Sequence, residues 1–168
     1  MREQTKKLTL TALFAALVFV ATMVFQLPLR PGGGYVHIGD AFIYLAACLL
    51  PTPYAMAASA IGAAMADTAV SAYIYILPTL LIKPLLVLPF TAKQEHMITT
   101  RNILAVVAAS FIGLAGYFVA DTIFFGVKTA AFDALFGATQ PLASAVVFVV
   151  FGYALDKVGL KKAIHLGR

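Results

Sequence analysis

Four ionisable side chains stand isolated in the otherwise apolar stretch 35–83: His37, Asp40, Asp67 and Lys83. Placing a charged side chain in a membrane helix costs about 2.5–3.5 kcal/mol on insertion scales, so such groups face a protein interior or a cavity and mark functional sites. A carboxylate accepts hydrogen bonds and a lysine donates them. These residues are therefore candidates for binding a polar solute within a membrane, or for pairing with one another.

Each of the four also has a structural alternative. Asp40 follows Gly39 at the start of a predicted helix, where a carboxylate N-cap satisfies free backbone N–H groups. His37 fits an interfacial histidine as well as a ligand contact. Asp67 and Lys83 fit a buried ion pair that fixes the fold, and removing one member of such a pair costs about 3–5 kcal/mol. Whether Asp40 or Asp67 pairs with Lys83 stays open.

Polar residues recur near the outer ends of the later predicted helices. Tyr117 and Asp121 share one helix face because they are four residues apart, although the Asp121 carboxylate is also close enough to the helix end to reach water. Gln140 precedes Pro141, where it either contacts a solute or caps the last helix. The pattern predicts an outward-facing solute pocket. The predicted substrate-binding residues are Tyr35, His37, Asp40, Asp67, Lys83, Tyr117, Asp121 and Gln140.

The composition identifies the setting of these residues. The 168 residues are 62% hydrophobic and 11% charged, whereas a soluble domain has about 45–50% apolar and about 25% charged residues. A membrane helix takes about 20 residues. The chain is therefore predicted to be an all-α polytopic membrane protein, with one domain (1–168) of six transmembrane helices. These are predicted at residues 8–27, 40–50, 54–71, 75–91, 102–125 and 140–156.

The basic residues predict an orientation in the membrane. With the N-terminus in the cytoplasm, nine of the twelve Lys and Arg residues lie on the inner side, and only Arg30 and Lys128 lie in outer loops. Six spans then place both termini in the cytoplasm. The distribution at helix ends also argues against nucleic acid as a partner. The inner residues are Arg2, Lys6, Lys7, Lys93, Arg101, Lys157, Lys161, Lys162 and Arg168.

Residues 28–34, Pro-Leu-Arg-Pro-Gly-Gly-Gly, break any helix and predict a mobile outer loop. Three consecutive glycines suit a hinge, so this loop is expected to close over the pocket as a lid. Motifs for catalysis and nucleotide binding, such as H-E-x-x-H, G-x-S-x-G and the Walker loop, do not occur in the sequence. The chain is therefore predicted to be no enzyme, to use no cofactor or metal, and not to couple ATP hydrolysis by itself.

Several motifs resemble the S-components of energy-coupling factor (ECF) vitamin transporters, the riboflavin and queuosine-precursor types above all. These are His-Ile-Gly-Asp-Ala at 37–41, Leu-Pro-Thr-Pro-Tyr at 50–54, Gly-x-x-x-Ala-Asp at 62–67 and Leu-Ile-Lys at 81–83. The resemblance covers most of the chain, including the six-helix plan. It implies a substrate-binding subunit in the plasma (inner) membrane of a bacterial cell, which delivers a micronutrient through a T-component and two ABC ATPases.

The resemblance also implies roles for the first helix. Ala12 and Ala16 would face the T-component, since small residues four apart permit close helix approach. The nickel and cobalt members of these transporters carry an N-terminal Met-His metal arm. Met1-Arg2 departs from that pattern, which argues against metal uptake.

The ionisable residues predict the class of solute. Within the membrane the chain offers three carboxylates, Asp40, Asp67 and Asp121, but only one lysine, Lys83. No arginine cluster is available to bind phosphates or several carboxylates. The expected solute is a neutral or cationic heteroaromatic micronutrient with donor groups, a queuosine precursor or aminopyrimidine before riboflavin. The alternative function is a stand-alone ion-coupled secondary transporter, in which the charges carry protons.

Overall fold

The computed structural model describes residues 2–30 and 34–164, which are almost entirely helical. The fold is 78% helical, which confirms a nearly all-α protein. The helices are α1 (Arg2–Val24), α2 (Asp40–Leu49), α3 (Thr52–Ala69), α4 (Ile76–Leu85), α5 (Thr100–Phe125), α6 (Val127–Gly137), α7 (Thr139–Lys157) and α8 (Leu160–Ile164), and a 3₁₀ turn, Tyr73–Tyr75, precedes α4. Two short strands, β1 (Gln26–Pro28) and β2 (Tyr35–His37), lie between α1 and α2.

Three helical stretches of the described residues are long and apolar enough to cross a bilayer: Glu3–Val24, Thr100–Phe125 and Val127–Lys157. The helices α2 and α4 have 10 residues each. At about 1.5 Å per residue each is about 15 Å long, half of the roughly 30 Å hydrocarbon thickness. The six-span count is therefore not confirmed by helix length and stays a prediction.

Proline shortens the fourth helix relative to the predicted segment 75–91. Regular α-helix ends at Leu85, because Pro84 and Pro89 have no N–H to donate to the preceding turn. The chain continues in i→i+3 turns, with Leu86 N–H donating to Lys83 O at 3.2 Å and Val87 N–H to Pro84 O at 3.2 Å. Tighter i→i+3 turns thus take the place of the last part of the predicted helix.

An additional helix, α6, lies between the helices predicted at 102–125 and 140–156, in a segment for which no helix was predicted. Gly126 separates it from α5 with a φ of +84°, a conformation that glycine adopts without steric cost. The first helix also begins earlier than predicted, at Arg2 instead of residue 8. Part of α6 reaches the pocket described below.

The segment predicted as a glycine-rich loop connects the two strands of a β-hairpin. Strands β1 and β2 are antiparallel, with Gln26 opposite His37 and Pro28 opposite Tyr35. Tyr35 and His37 are two positions apart, so both side chains point to the same face of β2. Residues 31–33, which carry part of the predicted lid hinge, lie outside the described residues.

The packed core lies beneath this hairpin. Tyr44 on α2 is 1% exposed, stacks on Phe90 with ring centroids 5.1 Å apart, and meets Phe148 of α7 edge to face at 5.9 Å. Such pairs contribute about 0.5–1.5 kcal/mol beyond their buried area. The aromatic cluster joins α2, α7 and the turns after α4 into one body.

Helices α1 and α3 come close together at Gly62. A Cβ at this position would overlap the carbonyl oxygen of Ala15 and lie 2.9 Å from the Cβ of Val18. We expect Gly62→Ala to destabilise the protein by about 1–3 kcal/mol, the usual cost of overpacking, because the backbone of α1 has to move. The melting midpoint in detergent measures this.

Gly113→Ala is the matched control, since Gly113 also lies inside a helix and its Cβ would meet only Leu86 Cδ2 at 3.5 Å. Both variants gain the same helix propensity, roughly 1 kcal/mol. Equal melting midpoints for the two variants would mean that α1 and α3 do not pack as described.

Candidate functional site

All eight predicted site residues line one cavity, which is bounded by β2 and the helices α1 to α7. They are Tyr35, His37, Asp40, Asp67, Lys83, Tyr117, Asp121 and Gln140. The cavity volume is about 90 Å³, several times the roughly 10–15 Å³ that one buried water needs. The cavity is thus roomy enough for polar solvent and lined by convergent polar groups.

Lys83 and Asp40 form a buried ion pair that links α4 to α2. The Lys83 Nζ donates to Asp40 Oδ1 at 2.6 Å, and Gln140 Nε2 of α7 donates to Asp40 Oδ2 at 2.7 Å. Lys83 is 2% exposed and Asp40 is 4% exposed. Both oxygens of the Asp40 carboxylate are therefore used within the protein, and three helices are joined by one network.

This network shows which of the alternative roles of Asp40 and Gln140 holds, and which aspartate pairs with Lys83. The N-cap position of α2 is Gly39, and no side chain caps that helix, so the N-cap interpretation of Asp40 is wrong. The N-cap position of α7 is Ala138, and Gln140 bonds to Asp40 instead of capping the helix. Lys83 pairs with Asp40 rather than with Asp67, because α2 brings the Asp40 carboxylate within hydrogen-bond distance of Nζ.

Asp67, near the end of α3, has a different environment. The hydroxyl of Tyr35 donates to its Oδ1 at 2.5 Å, while Oδ2 is buried and has no hydrogen-bond partner among the described residues. Burial and the neighbouring Asp67 charge raise the pKa of Tyr35 far above its ordinary value, so this hydroxyl stays protonated and acts as a donor. Asp67 keeps one acceptor oxygen uncommitted.

Asp121 of α5 is also held by a tyrosine. The hydroxyl of Tyr75, at the end of the 3₁₀ turn before α4, donates to Asp121 Oδ1 at 2.7 Å. Asp121 is 6% exposed and lines the cavity, so its carboxylate faces the cavity and the Tyr75 hydroxyl. Tyr117, one turn earlier on α5, shares a hydrogen bond of 2.9 Å with Thr79 and lies with its ring 5.3 Å from Lys83 Nζ.

His37 is buried next to these groups. Its Nδ1 accepts a hydrogen bond from the backbone N–H of Gly39 at 3.0 Å. Burial, helped by the charge of Lys83 and opposed by Asp40, lowers the pKa of His37 to about 3. The imidazole is therefore neutral at physiological pH and adds no charge to the cavity.

A second ion pair ties the hairpin to α6. Arg30 Nε donates to both carboxylate oxygens of Asp133, at 3.0 and 3.2 Å, and the guanidinium carbon lies 4.2 Å from the ring centre of Phe125. Paired guanidinium and carboxylate groups of this geometry are among the stronger charged contacts. This contact holds the outer segment against the far side of the cavity.

The two ion pairs leave the cavity with a surplus of acceptors. Asp40 is balanced by Lys83, and Asp133 is balanced by Arg30. Among the described residues, neither Asp67 nor Asp121 has a cation at ion-pair distance. The arrangement can therefore accept N–H or O–H donors from a solute at two carboxylates, next to tyrosine rings.

Several pocket residues were not predicted from the sequence. Thr22, Tyr75, Thr79 and Asp133 line the cavity as well. Tyr75 and Thr79 could have been found, because they precede Lys83 by eight and four residues and so share its face of the helix predicted at 75–91. Asp133 lies on α6, and this helix was not predicted. The predicted docking residues Ala12 and Ala16 are exposed on α1, away from the cavity.

Comparison with known proteins gives one match. A family model described as ECF-type riboflavin transporter, S component, matches residues 2–157. No curated protein and no solved structure matches the chain. The matched range contains the hairpin, both ion pairs and every residue of the cavity described above.

Proposed function

The chain belongs to the ECF-type riboflavin transporter S-component family, and from this premise we propose that it captures a vitamin-like heteroaromatic micronutrient outside the cell. It is a membrane protein and the substrate-binding subunit of an ECF transporter, and its family is one of transporter subunits and not of enzymes. The bound micronutrient passes to a T-component driven by two ABC ATPases. A stand-alone secondary transporter is not favoured by this family.

The observation that carries the proposal is the pair of carboxylates, Asp67 and Asp121, that have no cation at ion-pair distance within the described part of the chain. A polyanion in the cavity would face Asp67 and Asp121 at close range, and like charges in a poorly solvated site repel strongly. A neutral or cationic heteroaromatic with N–H donors instead completes the hydrogen bonding of Asp67 Oδ2. Tyr35 and Tyr117 offer rings for stacking beside these acceptors.

Within this class we rank a queuosine-type deazapurine or an aminopyrimidine first and riboflavin second. A deazapurine of this type places an amino group next to a ring N–H, and an aminopyrimidine does so when its ring nitrogen is protonated, which suits a carboxylate with a free oxygen. Riboflavin is neutral and also carries a ring N–H, and the family's description names it. It therefore belongs in every binding experiment.

The distribution of the basic residues supports one orientation of the chain in the membrane. Six spans with cytoplasmic termini put the hairpin and the cavity on the outer side and the connector after α4 on the inner side. Ala12 and Ala16 lie exposed on α1, a surface of small residues to which a T-component helix can pack closely. These placements support capture on one side of the membrane and energy coupling on the other.

Vesicle reconstitution tests the proposal. We expect uptake of the bound micronutrient only when the chain is combined with a T-component and its two ATPases and ATP is supplied. The chain alone, with a proton gradient and no ATPases, should accumulate nothing. Uptake by the chain alone under a proton gradient would contradict the proposal and support a secondary transporter.

A further inference from the structure

Two cavities meet at a pair of tyrosines. Besides the inner cavity described above, an outer cavity of about 640 Å³ lies between the hairpin and the turn that connects α3 to α4. Tyr35 and Tyr75 line both cavities. The outer cavity is otherwise bordered by residues such as Gln26, Arg30, Ser71 and Tyr73. A solute that passes from the outer to the inner cavity therefore passes these two rings.

The same two tyrosines donate to the two carboxylates, Asp67 and Asp121, for which residues 2–30 and 34–164 provide no ion-pair partner. Tyr35 donates to Asp67 and Tyr75 donates to Asp121, at 2.5 and 2.7 Å. We propose that Tyr35 and Tyr75 form a gate between the cavities, and that their hydroxyl groups hold Asp67 and Asp121 until N–H donors of the ligand replace them. This inference rests on the proposed function, because it assigns the donors to the captured micronutrient.

The inner cavity is too small for such a ligand in the closed arrangement. Its volume of about 90 Å³ is well below the roughly 300–1,000 Å³ of common small-molecule sites. Displacement of the two rings would join it to the outer cavity. Gly34, just before β2, is near this gate, since a Cβ on Gly34 would be in van der Waals contact with the Tyr75 hydroxyl at 3.5 Å.

The hydrogen bonds make opening depend on the chemistry of the ligand. A buried carboxylate that loses its donor is destabilised unless another donor takes its place. A solute with N–H groups supplies that donor, whereas a solute of the same shape without them leaves Asp67 and Asp121 unsatisfied. The gate therefore selects for donor groups during entry as well as in the bound state.

The first test needs no ligand. Ser110→Cys places a thiol in the inner cavity, and the native Cys48 is buried and 0% exposed. In this background Tyr35→Phe and Tyr75→Phe should each increase the labelling rate by a small cationic methanethiosulfonate by about tenfold or more, because a hydrogen bond to a carboxylate no longer holds the closed state. Tyr73→Phe is the control, since Tyr73 is 63% exposed and borders only the outer cavity.

Tyr35→Ala and Tyr75→Ala remove the rings as well as the hydroxyl groups. They therefore distinguish blocking of the passage by the rings from holding of the closed state by the hydroxyl groups. Faster labelling in the alanine variants with an unchanged rate in both phenylalanine variants would overturn the proposal, since the hydroxyl groups would then hold nothing. Unchanged rates in all four variants would also overturn it. Melting midpoints identify any variant that fails to fold, and the other tyrosine then supplies the result.

The second test uses 7-deazaguanine and its analogue without the exocyclic amino group as probes. Tyr35→Phe should bind 7-deazaguanine several times faster than the wild type, as expected when the competing donor is removed. The substitution should increase the binding rate of the analogue less. If neither probe binds the wild type but labelling accelerates, the gate stands and the proposed ligand class fails. If the probes bind and labelling does not change, the ligand class stands and the gate fails.

Discussion

Replacing Lys83 by methionine is expected to destabilise the folded protein by about 3–5 kcal/mol. The substitution leaves the Asp40 carboxylate buried, with Gln140 as its remaining hydrogen-bond donor. A buried charge without a counter-ion is strongly unfavourable, and the methionine side chain supplies no donor. The melting midpoint in detergent and the fraction of folded protein after purification measure the effect.

Two further variants show whether the loss of stability comes from breaking the Lys83–Asp40 pair. Lys93→Met removes an exposed lysine from the connector after α4 and should leave the melting midpoint near that of the wild type. The double variant Lys83→Met/Asp40→Asn removes both charges and should recover much of the lost stability, because replacing a whole buried pair is often nearly neutral. If Lys83→Met is as stable as Lys93→Met, the pair does not hold α2 against α4.

Asp67→Asn is expected to weaken ligand binding about 10- to 100-fold, the equivalent of losing one hydrogen bond of roughly 1.5–3 kcal/mol to a charged group. Asparagine still accepts a hydrogen bond from the Tyr35 hydroxyl, and the substitution removes a carboxylate that has no cation at ion-pair distance among the described residues. The stability of the protein should therefore change little. Calorimetric titration of the variant and the wild type, together with melting midpoints, measures both quantities.

Asp40→Asn is the matched comparison, because it makes the same chemical change in the same cavity. This variant leaves Lys83 without its counter-ion, so it should lower the melting midpoint strongly, whatever its effect on affinity. The reverse outcome, a stable Asp40→Asn and an unstable Asp67→Asn, would exchange the roles of the two aspartates.

The positions of the ionisable residues could be predicted because charge is rare and costly in apolar sequence. His37, Asp40, Asp67 and Lys83 stand out for that reason, and all four line the cavity. Their partners could not be predicted. Whether Lys83 meets Asp40 or Asp67 depends on how α2 and α3 pack against α4, and local spacing contains no information on that.

The rest of the site depends on contacts that are distant in sequence. Arg30 and Asp133 are 103 positions apart, and Asp133 lies on α6, whose 11 residues are too few to stand out as a membrane helix. The hairpin has strands of only three residues, one of them ending at Pro28, below the length at which alternation is detectable. Tyr75 carries no charge, so only its spacing from Lys83 could have drawn attention to it.

Titration of the purified chain with a panel of solutes shows whether the cavity binds a neutral or cationic solute through Asp67. The panel contains a deazapurine, an aminopyrimidine, riboflavin and folate, and each is titrated into the wild type and into Asp67→Asn by calorimetry. We predict saturable binding of at least one neutral or cationic member to the wild type, weakened in Asp67→Asn, and no comparable binding of the polyanion. Tight binding of folate alone, unaffected by Asp67→Asn, would contradict the account.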